Sequence, residues 1–111
     1  MATAKSLLYG PALVATGPTT LFTPAATELD VIFVIWVSNP TASAVSLTVS
    51  IGADAAATRI IGTNTVANIP ANSVTPFYGP FVVPASTAVT ASAGTNNVLN
   101  ISFHGEKRTL G

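Results

Sequence analysis

The amino-acid sequence predicts an all-β fold, a single antiparallel β-sandwich of jelly-roll-like form with about 7–9 short strands and an N-terminal arm. Three observations predict it. Apolar residues alternate with polar ones in several stretches, most regularly over residues 43–52, where Val45, Leu47, Val49 and Ile51 point one way and Ser46, Thr48 and Ser50 the other. Turn formers recur between such stretches, at Gly17-Pro18, Asn39-Pro40, Pro70-Ala71-Asn72, Gly79-Pro80, Pro84-Ala85-Ser86 and Gly94-Thr95-Asn96. Half of the 111 residues are Ala, Thr, Val or Ser, and no stretch keeps a helical period. This length is one domain's worth, divided into an N-terminal arm or edge strand over residues 1–16, a sandwich over 17–106 and a C-terminal tail over 107–111.

The elements follow in order. Leu7 to Tyr9 and Ala12 to Ala15 form the arm, and Leu21-Phe22-Thr23 is the first short strand. The stretch from Glu28 to Ser38 is apolar on both faces. Strict alternation puts Leu29, Val31, Phe33, Ile35 and Val37 on one side, and Ile32, Val34 and Trp36 on the other beside Asp30 and Ser38. A sandwich strand ordinarily buries one face and wets the other. Either the chain's own arm or a loop covers the second face, or a neighbouring subunit does. Asp54-Ala55-Ala56-Ala57 fits one helical turn or a loop. Arg59 to Ile61, Thr65 to Ile69, Phe81 to Val83, Ala88 to Ala93 and the alternating Leu99, Ile101 and Phe103 complete the strands.

Charge is scarce. Four Lys and Arg balance four Asp and Glu, 7% of the chain, against roughly 25% in an ordinary domain. No basic stripe exists to neutralise phosphates, so nucleic acid is not an expected partner. Without cysteine there is no thiol chemistry and no Cys-based zinc site. The longest unbroken apolar run, Val31 to Val37, is too short for a helix to cross a membrane. A net charge of zero favours association, which points to life inside an assembly.

Catalytic chemistry finds little support. His104 is the single histidine and ends an alternating strand on its polar side. No G-x-S-x-G elbow and no Gly-rich phosphate cradle occurs. Glu28 and Asp30 read as charges guarding a hydrophobic strand. No enzyme activity, cofactor or metal is expected. The candidate contact residues are instead Leu7, Leu8, Tyr9, Leu13 and Val14 in the arm, and Ile32, Val34 and Trp36 on the second face of the apolar strand. Phe77 and Tyr78 in the aromatic group, and Lys107 and Arg108 in the charged tail, complete the set.

Several stretches resemble small β-sandwich virion proteins of tailed bacteriophages. Thr19-Thr20-Leu21-Phe22-Thr23-Pro24-Ala25-Ala26-Thr27 is similar to that family's "T-T-L-Y-T-V-P-A-G" opening. Val37-Ser38-Asn39-Pro40-Thr41-Ala42-Ser43-Ala44-Val45 is similar to its "N-T-S-G-S-A-V-T-V" turn and strand. Ile69-Pro70-Ala71-Asn72-Ser73 leads to Tyr78-Gly79-Pro80-Phe81-Val82-Val83, which looks like "G-P-F-V-L". The run from Asn97 to Glu106 is similar to the ending "V-N-V-x-I-x-G-x-E". Ala26 stands where the family has Gly, and Pro84-Ala85-Ser86-Thr87 replaces a Gly-Asp turn. The resemblance implies a non-enzymatic virion structural protein, assembled in the host cytoplasm and carried on the phage particle. Its leading form is a capsid decoration or cement protein that contacts copies of itself, as a trimer, and a major capsid protein. A tail, baseplate or head-fibre accessory protein bound to tail proteins is the alternative, and a carbohydrate-binding β-sandwich module is the third reading.

Overall fold

A computed structural model describes residues 3–53, 58–62 and 67–109, with side chains from residue 7 onward. The alternating stretches become strands: β1 (Thr3–Leu13), β2 (Thr19–Phe22), β3 (Glu28–Asn39), β4 (Val45–Ile51), β5 (Arg59–Ile61), β6 (Ala67–Ile69), β7 (Ser73–Val83), β8 (Val89–Ala93) and β9 (Asn100–Thr109). One sheet has the order β1-β9-β3-β7. The other has β2-β8-β4-β5, with β6 also paired to β4. Every pairing is antiparallel. The order is that of a jelly roll. β1 lies beside β9, β2 beside β8, β3 beside β7, and β4 beside β5 and β6, as in a long hairpin rolled into two layers.

The core fills the space between the sheets. Ile32, Ile35, Val37, Ile101 and Phe103 come from one layer, and Leu47, Val49, Ile69, Val89 and Ala91 from the other. Each large aliphatic side chain so buried contributes about 1.5–3 kcal/mol. Tyr9, Phe22 and Phe103 bind the layers at one place. Phe22 on β2 stacks on Tyr9 of β1 at 5.8 Å between ring centroids and meets Phe103 of β9 edge-on at 5.3 Å. Asn39 closes another place. Its Nδ2 donates to the carbonyls of Ser43 (2.9 Å) and Ile69 (3.0 Å), and its Oδ1 accepts from the Thr41 N–H and hydroxyl. All its polar capacity is used, which is what permits an amide to lie buried there.

Of the two forms open to residues 1–16, arm or edge strand, the structure shows the edge strand, paired with β9 from Thr3 to Leu13 and not lying over the second face of β3. Its length of backbone pairing and the burial of Leu8 and Val14 hold it there. Three other readings are corrected. Lys107 and Arg108 belong to β9 and pair with Ala4 and Thr3, so the tail expected from residue 107 is strand as far as Thr109. Gly79-Pro80 is not a turn: β7 runs through it. Strict alternation in β3 fails at Phe33, where the register with both neighbours shifts. A β-bulge adds one residue there, so Ile32 and Ile35 both enter the core while Phe33 and Val34 both turn outward. The proposed helical turn at Asp54 to Ala57, and the start of the strand expected from Thr65, lie outside the described residues.

Candidate contact face of the four-stranded sheet

The two sheets present different outward faces. On the β2-β8-β4-β5 sheet, Ser46, Thr48 and Ser50 of β4 stand beside Asn68, Ser92 and Thr90 on the side away from the core, and Thr48, Ser50 and Thr90 are buried there. Several hydroxyls of this face are spent on the chain itself. Thr90 donates to the Gly52 carbonyl at 2.9 Å and Ser92 to the Thr16 carbonyl at 2.8 Å.

The outward face of the β1-β9-β3-β7 sheet is built otherwise. Cross-strand partners share a face, so register places Val34 beside Tyr78, Trp36 beside Pro76, Ser38 beside Val74 and Val31 beside Val82. The bulge adds Phe33. Relative exposures are 40% for Phe33, 39% for Trp36, 62% for Val74, 69% for Tyr78 and 55% for Val82. Leu7 and Leu13 are exposed on the same face across β9. These seven are the exposed large hydrophobic residues among the described ones. Between the two apolar columns runs the polar row of β9: Asn100, Ser102, His104, Glu106 and Arg108. Ser102 Oγ and His104 Nε2 are 3.2 Å apart in a hydrogen bond. Arg108 donates to Glu106 through Nε and Nη2, with a closest approach of 3.2 Å.

The sequence-predicted contact residues divide. Leu7, Leu13, Val34, Trp36 and Tyr78 lie on this face, and Arg108 lies at its end, tied to Glu106. Leu8, Val14 and Ile32 are corrected to core, since each is buried within the chain's own sandwich and has no surface to offer. Tyr9 is half-buried against Phe22 and Phe103. Phe77 is half-buried against the core opposite Ile35, and Lys107 is exposed opposite Asp30. Sequence reasoning missed Phe33, Val74 and Val82. For the last two the signal was present: Val74, Pro76, Tyr78, Pro80 and Val82 fall on every second residue. The Gly79-Pro80 pair concealed it by suggesting a turn.

Glu28 and Asp30 are not a matched pair of surface guards. Asp30 is buried, its Oδ1 has no hydrogen-bond partner, and desolvation raises its pKa above the ordinary 3.8. Lys107 across the sheet opposes that rise, and Glu28 adds to it. Among the described residues, no three His, Asp or Glu side chains gather as metal ligands. An open depression of about 440 Å³ lies between the end of β3 and the start of β7, lined by Ser38, Asn39, Pro40, Asn72, Ser73 and Val74. The side chain of Asn39 is fully engaged elsewhere, which leaves the depression without its deepest polar group for a ligand.

No family model matches this chain, and no curated protein sequence matches it. Among solved structures, it is similar to a chain in the structure of infectious bursal disease virus, Gt strain, at 19% identity and a TM-score of 0.27. The likeness covers 96% of this chain and 29% of that one, so this chain spans less than a third of that protein's length.

Proposed function

We propose that this chain is a non-enzymatic structural protein of a viral particle, a decoration or cement subunit that stabilises a phage head through contacts with its neighbours. One observation carries the reading: among the described residues, the exposed large hydrophobic side chains all lie on a single sheet face. The scarcity of charge and the run of phage-like motifs support it. Repetition gives such a subunit its effect, because modest contacts multiplied by symmetry hold a shell together. Quantitative protein analysis of purified particles tests the reading. Copies in the hundreds per particle are expected, and a handful would overturn it. A label confined to the tail would make the chain a tail or baseplate accessory instead.

A second reading has an observation of its own. Phe33, Trp36 and Tyr78 expose three aromatic rings on one sheet face, which suits stacking against sugar rings in a carbohydrate-binding module. Sugar hydroxyls also need polar partners. On this face Ser102 and His104 already bond to each other, so this reading ranks behind the first. Binding on a glycan array that disappears with Trp36→Ala would reverse the order.

A further inference from the structure

We propose that the apolar half of the β1-β9-β3-β7 sheet packs face to face against the same half of a second copy of this chain, about a two-fold axis. This goes beyond the virion reading and stands or falls without it.

The patch is formed by Phe33, Val34 and Trp36 on β3 and by Val74, Tyr78 and Val82 on β7. It exposes on the order of 500–600 Å² of apolar surface, at the upper end of what a monomer carries. With the polar β9 row as a rim, that approaches the ~800 Å² per partner of a standard interface. No charged residue occurs between Asp30 and Asp54 or between Arg59 and Glu106. The patch therefore offers an oppositely charged partner nothing to recognise, and two copies of it do not repel each other.

The distribution of apolar surface sets the symmetry. A head-to-tail contact joins two different patches, whereas a two-fold contact joins one patch to itself. All the exposed large hydrophobic residues described lie on this one face, while the other sheet turns polar side chains away from the core, of which Thr48, Ser50 and Thr90 are buried and offer a neighbour no surface. The same surface must then serve both partners. The resemblance to phage proteins implies a trimer, and the placement of these side chains points to a pair instead.

The contact is made by the face and not by the edge. β7 ends its sheet, and an edge strand can recruit another strand through free N–H groups. Pro76 lies in the middle of β7 opposite Trp36 and has no N–H to give. Stacked sheets sit about 10 Å apart with interleaved side chains. The projecting Tyr78 and Trp36 are suited to interleave in this way.

The experiment uses the full chain in sedimentation equilibrium over micromolar to submillimolar concentrations, with fluorescence followed on the same samples. Trp36 is the single tryptophan, so its emission reports this face alone. The expected result is a monomer–dimer equilibrium in which emission moves to shorter wavelength as the dimer forms. Tyr78→Asp and Val74→Asp, each at an exposed position, should weaken the dimer at least tenfold and leave the thermal unfolding of dilute protein unchanged. A chain that stays monomeric throughout would overturn the proposal. So would a closed ring of three, a dimer that survives both substitutions, or Trp36 emission that responds to a soluble polysaccharide but not to protein concentration.

Discussion

Asp30 is a buried carboxyl with an unpartnered oxygen, and the fold tolerates it at a cost that depends on pH. Because burial raises its pKa above 3.8, the native state holds the proton more tightly than the unfolded chain does. The stability this group lends is complete below pH 3.8 and is lost as the pH rises through the higher folded value. Asp30→Asn removes that titration. Urea unfolding should find the variant more stable than the parent at pH 7, with the gap closing toward pH 3. Gly105 presents a different constraint. A Cβ there would collide with the carbonyl oxygen of Val31, which is fixed in the neighbouring strand. Gly105→Ala should cost on the order of 2 kcal/mol, seen as a lower denaturant midpoint with an unchanged slope. Neither residue announces itself in the sequence. Asp30 looks like a solvated charge, and Gly105 like a loop residue at a strand's end.

At the scale of elements, period-two alternation was legible wherever nothing interrupted it. β4 and the first part of β9 were plain from their alternating residues. β3 was found as a strand but misread in its faces, because a bulge is a local backbone event that leaves no mark on an apolar run. Its extra residue moved Phe33 outward and Ile32 inward, so the candidate face lost Ile32 and gained Phe33. β7 was found only in fragments. Pro76, Gly79 and Pro80 ordinarily break strands, but at the end of a sheet one side of the backbone needs no partner and proline is tolerated. The choice between arm and edge strand stayed open in the sequence, since the pairing of β1 with β9 joins distant parts of the chain and no local pattern encodes it. Deleting residues 1–16 therefore does more than remove a tether. It takes Leu8 and Val14 from the core, Tyr9 from its ring cluster, and exposes the edge of β9. Two or three buried side chains at about 1.5–3 kcal/mol each rival the whole stability of a small domain. The truncated chain should show no cooperative thermal transition by circular dichroism.

At the scale of the whole molecule, the nested order of strands governs when the fold can form. β9 lies between β1 and β3, so the first strand made must wait for the last before it has a neighbour. A ribosome emitting this chain releases the partner strands β3 and β7 well before the ten residues that complete their sheet. Contacts between positions so far apart in sequence close slowly, because the entropy of the loop is lost before the pairing repays it. Until β9 arrives, the apolar side of β3 lacks Ile101 and Phe103 beside it, and Trp36 adds a second sticky surface on the reverse. The nascent domain is then at its most adhesive just before β9 emerges. A chain ending at residue 98 should remain unfolded and precipitate, as turbidity and loss from the soluble fraction would show. The completed chain should refold from denaturant in a single phase on the millisecond-to-second scale typical of all-β domains. A fold of this design can offer its finished face to a partner only once β9 is in place, so its assembly is timed by its last strand.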